Sequence, residues 1–163
     1  MSELISFLTS YISNPWIIVA ILGFLPITEV RIAVLYGIII GLNHFDIFLV
    51  AASAGIIETA LLFILTGNKY FLNQINRIFG KKIEENITKN KGKFEKYGTF
   101  ALIFLVASPF PGTGSIIGVI AANIMKLDKK KSFIAICIGI LISAAFVLLA
   151  ANFFMMLFGN FFR

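Results

Sequence analysis

Between Phe100 and Met125 an apolar run is broken at its centre by Ser108-Pro109-Phe110-Pro111-Gly112-Thr113-Gly114-Ser115. This puts the two strongest helix-breaking residue types where a membrane-depth helix would otherwise continue. The flanks, Phe100 to Ala107 and Ile116 to Met125, are each too short to span a bilayer, which takes roughly 20 apolar residues. Broken backbone inside hydrocarbon leaves N–H and C=O groups unmatched, and this is tolerated only where protein or a watery cavity satisfies them. The break is therefore a candidate binding site, with Pro109, Pro111, Gly112, Thr113 and Gly114 as its residues.

That the run lies at membrane depth follows from composition. Of 163 residues, 59% are hydrophobic, 13% are charged and 18 are phenylalanine, against roughly 45 to 50% apolar and 25% charged in soluble domains. The mean hydropathy is +0.95. An all-α integral membrane protein is expected. One cysteine, Cys137, excludes a disulfide framework, and one histidine, His44, leaves no Cys/His metal cluster, so neither metal nor cofactor is expected. The net charge of +6 is concentrated in two loops and speaks of topology rather than of nucleic acid, for which no motif is present. Glu3 near the start, with no positive n-region, argues against a cleavable signal peptide.

In order, the chain divides into an interfacial helix (1–15), a first half (16–66), a basic connector (67–98) and a second half (99–163). Leu4, Ile5, Phe7, Leu8, Tyr11 and Ile12 keep helical spacing over too few residues to span, which predicts an amphipathic helix in the interface. Pro15 breaks it. From Trp16 to Leu42 the chain is apolar around a polar knot, Pro26-Ile27-Thr28-Glu29-Val30-Arg31. Pro26 interrupts the helix just where two charges reach mid-membrane depth, each costing about 2.5 to 3.5 kcal/mol there, so neither faces lipid. In a regular helix residues two apart point to nearly opposite sides, which predicts that Glu29 and Arg31 do not simply neutralise each other.

Asp46 is expected to cap Ile47 to Thr66, a full span whose Ala51, Gly55 and Thr59 form a small-residue face open to close helix approach. Glu58 lies beside that face, where a carboxyl group either pairs with a cation such as Arg31 or holds a proton. The connector carries Lys69, Arg77, Lys81, Lys82, Lys89, Lys91, Lys93 and Lys96 against Glu84, Glu85 and Glu95. It reads as a basic amphipathic helix on an anionic inner leaflet. A second basic loop, Lys126 to Lys131, precedes an apolar helix from Ser132 to Phe158, with Asp128 as its cap and Ala135, Gly139 and Ser143 as its small face.

If all four long apolar segments crossed, the two basic loops would lie on opposite sides. If the broken segments instead enter and leave on one side as re-entrant hairpins, both loops are cytoplasmic, which the positive-inside rule prefers. The halves also echo each other. A shift of 84 residues lays Ala51, Gly55 and Thr59 on Ala135, Gly139 and Ser143, and a shift of 85 lays Pro26 and Thr28 on Pro111 and Thr113. The expected fold is an inverted repeat, each half a re-entrant helical hairpin plus one transmembrane helix, in a multi-pass protein of the cell membrane.

Glu29-Val30-Arg31-Ile32-Ala33 resembles the Glu-x-Arg-x-Ala element of the small multidrug export family. Pro109-x-Pro111-Gly112-Thr113-Gly114, followed by Gly118, resembles that family's second signature. The layout is similar to the DedA (VTT-domain) membrane proteins, which are associated with paired re-entrant hairpins and lipid flipping or scrambling. Leu35 stands where the first motif usually has proline, and the second hairpin lacks the arginine typical of DedA proteins. The resemblance implies a transporter; correspondingly, the chain has no HExxH, GxSxG or nucleotide-binding loop.

A glycine-rich tip exposes backbone N–H groups, and the half-helix beginning near Thr113 to Ser115 aims its positive end into a cavity. Arg31 adds a full charge suited to phosphate or carboxylate. This points to proton-coupled translocation of an anionic amphiphile such as a lipid phosphate, with Glu29 and Glu58 as coupling acids. Export of small amphiphilic drugs, energy-independent scrambling or a membrane-integrity role, and a purely structural network of Glu29, Arg31 and Glu58 stay open. Two full spans make little wall for a pathway, so a homo-oligomer is expected, with membrane lipid as a further partner.

Overall fold

The computed structural model describes residues 2–26, 28–68, 74, 77, 97–108 and 114–158. Among these are seven helices and no strand: α1 Ser2–Tyr11, α2 Pro15–Phe24, α3 Glu29–Ile39, α4 His44–Leu65, α5 Phe100–Ala107, α6 Ser115–Ile124 and α7 Lys129–Phe158. Most of the basic connector lies outside the described residues. Two helices are long and apolar enough to cross a membrane, α4 with 22 residues and α7 with 29 qualifying residues. At 1.5 Å per residue α4 is about 33 Å long, enough for a hydrocarbon core of about 30 Å, whereas α2, α3, α5 and α6 reach only about half of it. The interruptions expected from Pro26 and from the Pro/Gly tip are therefore breaks between separate short helices.

Local chemistry sets these ends. Asn14 Oδ1 accepts from Trp16 N–H at 3.0 Å, and Pro15 fills the first position of α2, where its missing N–H costs nothing. Pro15 thus starts a helix as well as separating two. Leu25 and Ser108 are extended, with ψ of 123 and 131, as residues before proline must be, and α2 and α5 stop there. The Leu22 carbonyl would look four residues on for a donor and find Pro26, which has none. Thr28, 4% exposed, supplies it: its Oγ1 lies 2.5 Å from Leu22 O and 3.2 Å from Leu25 O. The start of α4 differs from the expectation. Asn43 Oδ1 accepts from Phe45 and Asp46 N–H at 2.9 and 3.3 Å, so Asn43 is the cap, α4 begins at His44, and Asp46 sits in the first turn. Asp128 caps α7 as expected, accepting from Lys131 N–H at 2.9 Å.

The ends of α3 and α6 repeat one another. Each closes through a left-handed residue, Gly41 (φ 77) and Lys126 (φ 52). The next N–H reaches five residues back, Leu42 to Gly37 O at 3.0 Å and Leu127 to Ala122 O at 2.9 Å. This is the Schellman closure. An Asx cap then opens the long helix in both places, Asn43 before α4 and Asp128 before α7. All these pairs stand 85 residues apart, the shift that aligns Pro26 with Pro111.

The chain divides into two compact units, Met1–Gly55 with Ala144–Arg163, and Ile56–Ser143. In the first, α2 and α3 pack against each other, burying Ile18, Val19, Leu22, Ala33 and Val34. Gly23 meets α4 so closely that an added Cβ would lie 3.0 Å from Ala51 O. In the second, Val106 of α5 sits between Gly118 of α6 and Gly139 of α7, and a Cβ on either glycine would stand 2.8 Å from it. So in both units the first helix of the pair touches the small face of the following long helix. Large apolar side chains such as Ile39, Ile64, Phe104 and Met156 remain exposed, which suits a lipid surround and not water.

Candidate functional site

Pro26, Glu29, Arg31, Glu58 and Gly114 fall within the described residues; Pro109, Pro111, Gly112 and Thr113 lie outside them. In the first unit the expectation for Glu29 and Arg31 is corrected. Arg31 Nη1 lies 3.6 Å from Glu29 Oε2, and the two side chains are 12% and 20% exposed, so they form a largely buried ion pair. The two-residue spacing argument assumed regular helix, but Glu29 has φ 59, a left-handed conformation uncommon outside glycine. That single backbone rotation at the start of α3 swings its carboxylate round to the guanidinium. Glu29 N–H still bonds Leu25 O at 2.9 Å, closing the turn over Pro26.

In the second unit Glu58, 4% exposed on α4, accepts a hydrogen bond of 2.7 Å at Oε2 from Ser115 Oγ, itself 6% exposed. Ser115 is the first residue of α6, directly after Gly114 at the cap position, which is extended and makes no side-chain cap. The positive end of the half-helix therefore meets a carboxyl group that the chain itself supplies, 57 residues away in sequence. Thr59 and Ser143, also buried, add two hydroxyls to this unit. A buried carboxyl group held by a hydroxyl at a helix break can bind and release a proton, or an exchangeable cation, without backbone rearrangement.

Ser115 is absent from the residues singled out by sequence as functional, although it closes the Pro/Gly stretch. The signal that marks it is local: a small hydroxyl residue just after glycine, at the first position of a half-helix, in an otherwise apolar run. Its partner Glu58 does stand out in sequence as a lone acid in an apolar run, but nothing local marks the two as a pair.

No curated protein and no solved structure gives a significant match to the chain. A family model described as "Putative small multi-drug export protein" matches residues 29–146, from the ion-paired Glu29 through Glu58, Ser115 and the glycine contact at Gly139. A transport family of this kind, on two long apolar helices, is a membrane family by name and by build. The chain belongs to the small multi-drug export protein family.

Proposed function

We propose that the protein exports small amphiphilic compounds across the cell membrane in exchange for protons, with Glu58 as the group that carries the proton. The observation behind this is the buried Glu58–Ser115 hydrogen bond at the break before α6. Anion recognition was expected to use Arg31 and the α6 N-terminus. Each already faces a carboxyl group of the chain, Glu29 and Glu58 respectively, so an anionic guest would have to displace internal carboxylates. A neutral or cationic amphiphile would instead compete with the proton at Glu58, which is the simplest form of obligatory exchange. Anionic lipid translocation is therefore the second reading. In both, Pro26 and Gly114 stand at the two breaks, Pro109, Pro111, Gly112 and Thr113 are the proposed substrate-contacting residues of the second, and the Glu29–Arg31 pair balances charge beside the first.

The topology that goes with this reading has both helix pairs re-entrant, both basic loops cytoplasmic and the halves inverted, as charge placement favours. The packing of α2 on α3 supports a pair that turns back. A single cysteine beside Lys129, in a Cys137-free background, is expected to react with impermeant maleimide only after the cytoplasmic face is opened. Modification from the external solution of intact cells would refute the hairpins. A path bounded by two full spans needs a further wall, and a homo-oligomer in lipid provides it.

The function is tested in proteoliposomes with acid inside. A lipophilic cationic dye is expected to accumulate as protons leave, and an ionophore that collapses the gradient is expected to stop it. Dye movement at the same rate with and without the gradient would favour an energy-independent scramblase; movement of an anionic lipid analogue alone would favour the second reading.

A further inference from the structure

The second unit has a cavity of about 230 Å³ at the turn between α6 and α7, lined by Phe63, Ala122, Asn123, Lys126, Leu127 and Lys129. Phe63, Ala122 and Leu127 give it an apolar part, with Phe63 held edge to face against Phe133, ring centroids 6.0 Å apart. Two lysines, Lys126 and Lys129, also line the cavity. The one acid in the turn, Asp128, does not line the cavity, because its carboxylate caps Lys131 N–H.

Lys126 holds the left-handed closing position of α6, φ 52, where the matching turn of the first unit uses Gly41, φ 77. A Cβ at such a position is disfavoured, and glycine is the usual occupant. A cation near a helix C-terminus is favourable, but Lys129, Lys130 and Lys131 already supply positive charge to this turn. The feature that Gly41 lacks and Lys126 adds is a long cationic side chain in the lining of a part-apolar cavity. Asn123 Nδ2 donates to Val119 O at 2.9 Å, and its amide oxygen has the capacity to accept from a donor such as a headgroup hydroxyl.

We propose that this cavity is a phosphate-binding site for an anionic phospholipid. Lys126 and Lys129 take the phosphate, Asn123 accepts from a glycerol hydroxyl, and the acyl chains run along the apolar flank at Leu127 and Phe63. The volume suits a headgroup rather than a drug-sized ligand. Basic pockets between membrane helices at the cytoplasmic side are suited to such headgroups. Neither Glu58 nor Ser115 lines the cavity; the site depends on the cytoplasmic placement of this basic loop in the topology above, and not on the proton carrier.

The test uses the full chain purified in a zwitterionic detergent, with binding of short-chain phosphatidylglycerol followed by native mass spectrometry and by the shift in melting temperature. Phosphatidylglycerol is expected to stay bound and stabilise, and phosphatidylcholine is not. Lys126→Gly is the informative variant, since glycine suits the backbone. Relief of the left-handed lysine is expected to raise the lipid-free melting temperature by about 2 to 4 °C. Binding of phosphatidylglycerol weakens about tenfold with the lost charged contact, and more in Lys126→Gly/Lys129→Gln. Lys130→Gln/Lys131→Gln keeps the affinity. Equal weakening by that control pair, or unchanged binding in Lys126→Gly, overturns the site. Stabilisation by inorganic phosphate without any by phosphatidylglycerol overturns the lipid as its source.

Discussion

Glu58→Gln abolishes gradient-driven dye accumulation while leaving the protein folded. Glutamine keeps the shape of the side chain and an oxygen that accepts from Ser115 Oγ, which lies 2.7 Å from Glu58 Oε2, but it cannot release a proton. This substitution preserves the packing and the acceptor and removes the cost of burying a charge, so the unfolding free energy should stay within about 1 kcal/mol of wild type or rise. Glu58→Ala behaves differently. It leaves the hydroxyl of Ser115, a residue 6% exposed, without its acceptor, costing about 1 to 3 kcal/mol in stability as well as all activity. Ser115→Ala leaves the carrier but loosens it. Loss of one hydrogen bond of about 1.4 kcal/mol should slow driven transport about tenfold without abolishing it. Wild-type accumulation by Glu58→Gln would remove Glu58 from the mechanism and return the pair to a structural role.

How far such an arrangement can be read in advance depends on the range of the rule involved. The stops at Leu25 and Ser108 are legible because the residue before proline is constrained by covalent sterics. Caps are half legible. Both Asn43 and Asp46 precede the apolar run, and either side chain can accept from the first turn; only the 2.9 Å bond from Phe45 N–H decides for Asn43. The Glu29–Arg31 pair was missed because a helical wheel has no place for a residue at φ 59. The small faces Ala51/Gly55/Thr59 and Ala135/Gly139/Ser143 could be seen, but not what reaches them. It is Val106 that enters at Gly139, and valine among leucines and phenylalanines carries no mark. Glu58 and Ser115 each stood out as polar in an apolar run, yet their pairing across 57 residues is tertiary. Lys126 shows the limit from the other side, since a left-handed closure is read from glycine or asparagine and lysine hides it.

The packing around Val106 yields the second large effect, and atom positions predict that two similar substitutions differ in cost and in whether Val106→Ala rescues them. Gly118→Ala and Gly139→Ala both add a methyl group 2.8 Å from Val106, closer than carbon atoms approach. At Gly118 the atom met is Val106 Cγ2, with the Ile136 side chain next at 3.2 Å; at Gly139 it is Val106 Cβ, with Ile103 O next at 3.1 Å. Side-chain ends can be removed by mutation, whereas a Cβ and a carbonyl oxygen stay with the backbone. Alanine gains about 1 kcal/mol of helix propensity over glycine at both sites, against an overpacking cost of about 1 to 3 kcal/mol. Gly118→Ala should therefore be mildly destabilising and Gly139→Ala clearly so, while Gly139→Leu should yield no folded protein. In a double-mutant cycle Val106→Ala should rescue Gly118→Ala, with a coupling of about 1 kcal/mol or more, and should leave Gly139→Ala unrescued with a coupling near zero. Unfolding followed in detergent supplies the free energies. Equal rescue at both glycines would mean that α5 shifts as a body and that the contact at Gly139 does not fix its position. Rescue at Gly118 alone would locate the rigid contact at α5 and α7, leaving α6, with Ser115 at its start, as the helix with side-chain play around it.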